Sequence, residues 1–171
     1  SAHQVEGGNR NDFSEGGLSA GRAADHYNLF EHDFDLARSL GHNAHRLSIE
    51  WSRIEPEEGK YNHREIGHYK KVISALKNRG LEPFVTLWHF TSPVWSKKIS
   101  ERFGKFAKLM AETFKNEVRF WITVNEPEIY ALYSRIFGLW PPKEKNIFKA
   151  WKTLSDLITA HKSAYKAIKE I

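Results

Sequence analysis

Short runs of β-type residues alternate along this chain with longer segments in which apolar residues recur at helical spacing. The runs cover residues 44–49, 83–87 and 119–124, and residues 1–6 are interpreted as the tail of an earlier strand. Short strands that alternate with longer helices are typical of a parallel sheet joined by crossover connections. The sequence therefore predicts an α/β fold, and no repeat at a fixed period competes with that interpretation.

The helix predictions rest on amphipathic spacing and on residues that suit helix ends. We predict one helix over residues 25–40, stopped by Gly41, and a second that begins after Asn62 and stops at Gly80. A third runs from about residue 100 to 114, and the last covers roughly residues 147–171. The segment between the third strand run and the last helix is predicted to be a long loop rich in aromatic side chains.

The composition of the 171-residue chain excludes several classes of protein. Cys is absent, so disulfides, thiolate zinc sites and Cys nucleophiles are excluded, and a reducing, cytoplasmic location is expected. The net charge of +5 comes from basic residues scattered among acidic ones on helix faces, which argues against a nucleic-acid partner. No apolar run is long enough to cross a bilayer. The His residues lack metal-ligand spacing, so no metal site is expected.

Polar and aromatic side chains gather where each predicted strand ends. These clusters are residues 4–6, 46–53, 88–90 and 125–127. In α/β barrels the carboxyl ends of the strands carry the chemistry. Six Trp is a high number for this length, and aromatic rings at strand ends are either core or a platform for a flat ligand such as a sugar ring.

Glu126 is the sharpest catalytic candidate, because it follows an apolar strand and stands between Asn125 and Pro127. A carboxyl group at a strand end serves as a general acid if burial raises its pKa. The competing interpretation is a helix-cap or loop carboxylate, and the tripeptide alone favours neither. His89 also allows two interpretations: it is either a structural His among aromatic rings or a residue that bonds sugar hydroxyls.

Three further residues stand out less strongly. Arg46 lies inside an apolar strand run, where a charge needs a carboxylate partner. That partner is either part of a core salt bridge or an active-site carboxylate that the Arg steers. Arg53 is interpreted as structural, packing against Trp51, and Gln4 is expected to point to the same end as the other clusters.

Four motifs taken together resemble glycoside hydrolase family 1, the β-glucosidase and β-galactosidase family of (β/α)₈ TIM barrels. They are, in order, SAHQVEG at residues 1–7, NAHRLSIEWSRI at 43–54, EPFVTLWHF at 82–90 and WITVNEP at 121–127. The resemblance extends over essentially the whole chain. It implies that residues 1–171 supply roughly the first four βα units of a single barrel domain, with no second domain.

The resemblance also implies a role for each matching residue. Glu126 matches the general acid/base, and Asn125 matches the residue that bonds the sugar 2-hydroxyl. Gln4 and His89 match residues that hold the glycone, and Arg46 matches the Arg that pairs with the catalytic nucleophile. Neither a metal nor an organic cofactor is implied. Phe90 stands where the family usually has Trp, so a ring is kept but an indole N–H donor is lost.

The family barrel is far longer than this chain, and its nucleophile is a Glu on strand seven that no residue here matches. One interpretation is therefore a retaining β-glycosidase that acts on β-linked glycosides or oligosaccharides, seen through its N-terminal part. The alternative is a non-catalytic half-barrel that acts as a structural, sugar-binding or assembly partner. A homo-oligomer or a missing C-terminal half is expected in either case, since open sheet edges and apolar faces need cover.

Overall fold

A computed structural model describes residues 1–171 as a parallel sheet flanked by helices. The strands are β1 (Ala44–Ser48), β2 (Glu82–Trp88) and β3 (Phe120–Val124), hydrogen-bonded in the order β1-β2-β3. The helices are α1 (Ala2–Glu6), α2 (Asp12–Glu15), α3 (His26–Ser39), α4 (Trp51–Ile54), α5 (His63–Asn78), α6 (Ile99–Phe114), α7 (Pro127–Arg135) and α8 (Ile147–Lys169). The three strands and four long helices lie close to their predicted positions.

The two faces of the sheet differ in what covers them. Strand register pairs Arg46 with Phe84 and Phe84 with Phe120, so these residues share one face because side chains alternate along a strand. Arg46 and Phe120 are exposed. Leu47 and Val85 point the opposite way and belong to the hydrophobic core that the helices cover. One face of the sheet is thus packed and the other is largely open.

The helix ends follow the local chemistry of the sequence. The Asn62 side chain accepts hydrogen bonds from the backbone N–H groups of the first turn of α5, which fixes where that helix begins. Gly41 and Gly80 have positive φ angles of 83° and 68° just after α3 and α5. Both glycines take the left-handed conformation that ends a helix at little steric cost.

Two local predictions are wrong. Residues 2–6 form α1 and not the tail of a strand: Gln4 Oε1 lies 3.4 Å from both the amino nitrogen and the hydroxyl of Ser1, and these contacts stabilise a helical turn. Residues 127–135 form α7 and not a loop. Pro127 occupies the first turn, where its missing N–H costs nothing, and Tyr130 and Ser134 are buried on its inner side.

None of the helices combines the length and the apolar character that a bilayer-spanning helix needs.

Candidate active site

Arg46 occupies the open face of the sheet and contacts two neutral acceptors. Its Nε donates to Thr86 Oγ1 at 3.0 Å, and its Nη2 donates to Asn125 Oδ1 at 2.5 Å. Of the two alternatives for Arg46, the core salt bridge is not formed: Arg46 is exposed and pairs with no carboxylate of this chain. Two of the five guanidinium N–H donors are used, which leaves three without a hydrogen-bond partner among residues 1–171.

Asn125 connects Arg46 to the carboxylate of Glu126. The residue is buried, and its backbone N–H donates to the carbonyl oxygen of Trp88 at 3.0 Å, which ties the end of β3 to β2. Its Nδ2 donates to Glu126 Oε2 at 3.1 Å. Because Arg can only donate, the atom it contacts must be the amide oxygen, and the NH₂ group must face Glu126. The orientation of the amide is therefore fixed.

Glu126 has an unusual backbone for its position. Its φ and ψ angles of 40° and 62° lie in the left-handed region, which costs a non-glycine residue about 1 kcal/mol or more. The residue stands at the cap position of α7, yet its carboxylate makes no capping hydrogen bond and instead accepts from Asn125. The side chain is exposed. The burial that would make it a general acid is therefore not supplied by these residues.

His89 lies at the end of β2 beside the first strand. Its Nδ1 is 3.0 Å from Ser48 Oγ, and no residue of the chain bonds its Nε2. Partial burial is the main cause that lowers the pKa of His89 to about 3, and the positive charge of Arg46 acts in the same direction. The ring is therefore neutral, with one nitrogen free to donate to or accept from a ligand hydroxyl.

Gln4 approaches the same region from α1. It is exposed and lines a cleft of about 260 Å³ together with Phe90, Thr91 and Trp140. Phe90 has a φ of 78°, and its ring centroid lies 4.8 Å from that of Trp140. Part of the aromatic excess thus forms the wall of a cleft beside His89.

The structure shows polar residues at this edge for which no individual role was predicted, although several lie in the cluster 46–53. The carboxylate of Glu50 is buried and accepts from Thr91 Oγ1 at 2.8 Å and from Ser52 Oγ at 2.6 Å. Thr86 and Ser48 are the direct partners of Arg46 and His89. Ser48 and Glu50 follow Arg46 at intervals of two residues. The alternation of side chains along a strand is therefore the signal that could have indicated Ser48 and Glu50 from the sequence.

Glu6, the last residue of α1, is a buried carboxylate held by Arg53 and Tyr69. Arg53 is structural, but its partner is Glu6 and not Trp51: Nε donates to Glu6 Oε2 at 3.0 Å, and the guanidinium also bonds the Gly7 carbonyl. Tyr69 Oη donates to Glu6 at 3.0 Å. Burial, opposed by Arg53 and reinforced by the nearby charge of Glu50, raises the pKa of Glu6 to about 7.

Asp12 gives a first stability prediction. Its Oδ1 accepts from the backbone N–H groups of Ser92 at 2.8 Å and Phe13 at 3.0 Å, and burial raises its pKa to about 7. Because this value lies above the unfolded pKa, the folded form retains a proton that the unfolded form has lost. Stability therefore falls as the pH rises from about 4 to 7.

We expect Asp12→Asn to keep both backbone hydrogen bonds and to remove this pH dependence. At about pH 8 the variant should gain roughly 2–4 kcal/mol over the wild type, and at about pH 4 it should gain little. The midpoint of thermal unfolding of both proteins, measured between these two pH values, checks this prediction. Asp156→Asn on α8 is the matched control, and a gain that is equal at both ends of the range contradicts the prediction.

The fold and the strand-end side chains define an α/β protein of the barrel type, with a carboxylate, an amide and an arginine at the carboxyl edge of its sheet. The model of glycosyl hydrolase family 1 matches residues 3–171. The chain belongs to this family.

Two relatives align with most of this chain. β-Glucosidase A of Thermotoga maritima is 33% identical over 157 residues, which is 86% of this chain and 35% of the relative. A 6-phospho-β-galactosidase of Lacticaseibacillus rhamnosus is 36% identical over 181 aligned residues, which is 94% of this chain and 38% of the relative.

Solved structures show the same pattern. The β-glycosidase of Pyrococcus horikoshii is 37% identical with a TM-score of 0.91, covering 98% of this chain and 43% of that one. The family 1 β-glucosidase of Thermotoga maritima is 28% identical with a TM-score of 0.89, covering 99% and 42%. The chain therefore spans less than half the length of these proteins. Its fold corresponds to the N-terminal part of their TIM barrel, as predicted.

Proposed function

We propose that the intact protein is a retaining β-glycosidase in which Glu126 is the general acid/base. The observation that carries the proposal is the hydrogen-bonded series Arg46–Asn125–Glu126, which sets a carboxylate, an amide and a guanidinium side by side at the carboxyl edge of the sheet. Residues 1–171 form the N-terminal part of a single barrel domain. The nucleophile lies outside them.

The proposed reaction proceeds in two displacements. Glu126 protonates the leaving glycosidic oxygen while a second carboxylate attacks the anomeric carbon, and the ionised Glu126 then takes a proton from the water that releases the sugar. Such a pair of carboxyl groups stands about 5–5.5 Å apart. The free N–H donors of Arg46 are suited to hold the second carboxylate, which explains why this Arg has no acidic partner among residues 1–171.

The remaining residues bind the sugar in this proposal. Asn125 directs its NH₂ group toward the space beside Glu126, where it can bond the 2-hydroxyl. The neutral ring of His89 and the exposed amide of Gln4 offer donors and acceptors to other glycone hydroxyls. The reaction uses two carboxylates and water and needs neither a metal nor an organic cofactor. The absence of Cys fits a reducing, cytoplasmic location.

A specific observation supports the alternative of a half-barrel that performs no chemistry alone. Phe148 and Trp151 on α8 are 82% and 68% exposed, and Phe120 on the edge strand β3 is 40% exposed. Such surfaces need a covering partner. In the leading proposal that cover is the rest of the barrel, and in the alternative it is a second copy or a separate assembly partner.

Hydrolysis of nitrophenyl β-glycosides by the intact protein separates the two. We expect turnover of the β-glucoside, the β-galactoside or a 6-phosphorylated form, with the β-anomer of the free sugar appearing first in the proton NMR spectrum. The phosphorylated arm is included because one similar protein is a 6-phospho-β-galactosidase. Release of the α-anomer first contradicts retention, and no turnover of any arm favours the half-barrel.

A further inference from the structure

Thr86 is a fully buried polar side chain in the middle of the sheet. Its register partner on β1 is Ser48, two residues beyond Arg46 toward the carboxyl edge. The hydroxyl is the acceptor for Arg46 Nε at 3.0 Å. With none of its surface accessible, Thr86 does not touch a bound sugar directly. Any effect it has on the reaction must pass through the group it holds.

The contact fixes the plane of the guanidinium. Nε is anchored on Thr86 of β2 and Nη2 on Asn125 after β3, so two strands hold one rigid planar group. Without the Nε anchor the guanidinium can rotate about its side chain, because Arg46 is exposed and no carboxylate of the chain restrains it. Rotation would also release Asn125 Oδ1, which the guanidinium now holds in one orientation.

We propose that Thr86 is a positioning residue that acts through Arg46, keeping its free N–H donors aimed at the nucleophile and the amide of Asn125 turned toward Glu126. This inference rests on the proposed function. Arg46 favours the ionised form of a neighbouring carboxylate. Loosening it therefore raises the pKa of the nucleophile and lowers kcat, while the contacts of Gln4 and His89 with the sugar, and with them KM, change little.

The test compares Thr86→Val, which keeps the shape and removes the acceptor, with Thr86→Ser, which keeps the hydroxyl. For the intact protein, we expect Thr86→Val to lower kcat roughly tenfold or more, as for loss of a hydrogen bond to a charged group. The acid limb of its pH profile should move up by about one unit. Thr86→Ser should restore both. Thr86→Ala, which removes the acceptor and some packing, must shift the acid limb in the same direction.

Thr123→Val is the matched control. Thr123 is also a buried sheet threonine, and its hydroxyl bonds His161 Nδ1 at 2.6 Å, with no connection to Arg46. We expect this variant to leave the acid limb unmoved. In an Arg46→Lys background, Thr86→Val should add little, because its effect passes through the guanidinium.

The outcomes separate this inference from the proposed function. If the wild type turns over substrate and Glu126→Gln does not, but Thr86→Val keeps the wild-type kcat and acid limb, the inference alone is overturned. Full additivity with Arg46→Lys overturns it as well. A wild type with no glycosidase activity overturns the proposed function and, with it, the proposed role of Thr86.

Discussion

Glu126→Gln is expected to lower kcat/KM of the intact protein toward alkyl β-glycosides by about 10²- to 10⁴-fold, the usual contribution of a general acid or base. Gln keeps the shape of the side chain, and its amide oxygen still accepts the hydrogen bond that Asn125 Nδ2 donates to Glu126 Oε2 at 3.1 Å. It cannot deliver a proton. The loss therefore measures proton transfer, not a change in the fold around α7.

A substrate whose leaving group needs no protonation provides a second test of this prediction. A dinitrophenolate departs without protonation, so the first displacement should proceed in Glu126→Gln with such a substrate, and the covalent glycosyl intermediate should accumulate after a burst. Azide attacks without losing a proton and should restore turnover with formation of a β-glycosyl azide. Burst kinetics and the identity of the azide product are the measurements.

Glu128→Gln is the matched control, since Glu128 is an exposed carboxylate two residues further along in the first turn of α7. We expect it to retain the activity of the wild type. Equal losses in both variants would show that charge at this helix end, and not proton transfer by Glu126, matters. An unchanged Glu126→Gln would remove Glu126 from the mechanism.

The sequence predicts the long elements of this fold well for a physical reason. The four long helices have apolar residues at helical spacing, and residues such as Gly41, Asn62 and Gly80 fix helix boundaries locally. The strands are short β-type runs between these helices. Residues 1–6 are too short to show a period, so the helical turn that Ser1 and Gln4 stabilise was misinterpreted. In α7 the aromatic residues and the prolines that follow concealed the helix.

The candidate site could likewise be predicted from the sequence only in part. Strand ends mark His89, Asn125 and Glu126, because a parallel sheet brings its carboxyl edges together. Arg46 stands out for a different reason, as a charge inside a strand run. The partners of these residues were not predictable, since a hydrogen bond such as that of Arg46 with Thr86 depends on register between strands that the sequence does not reveal. Nor does the sequence reveal that Arg46 bonds Thr86 and Asn125 and pairs with no acidic side chain among residues 1–171.

Arg53→Met is the substitution with the largest expected effect on stability. Arg53 and Glu6 form an ion pair whose side chains are only 12% and 6% exposed. Removal of the cation leaves the carboxylate with only Tyr69 as a side-chain partner, and uncompensated charges of this kind cost about 3–5 kcal/mol. The more exposed pair of Arg79 with Asp35, whose side chains are 20% and 63% exposed, is the control, and Arg79→Met should cost about 1 kcal/mol or less.

The pH dependence of this loss identifies its cause. Burial already raises the pKa of Glu6 to about 7, so the folded state retains a proton that the unfolded state has lost, and stability falls as the pH rises through that window. Without Arg53 the pKa of Glu6 rises further, so we expect the cost of Arg53→Met to be greatest at about pH 8 and to shrink at about pH 5.

The double variant Glu6→Gln/Arg53→Met should recover most of the lost stability, because no buried charge remains. Thermal unfolding midpoints of the wild type, Arg53→Met, Glu6→Gln and the double variant measure this coupling. A loss that is independent of pH would assign Arg53 to packing alone, such as its contact 4.5 Å above the Tyr27 ring.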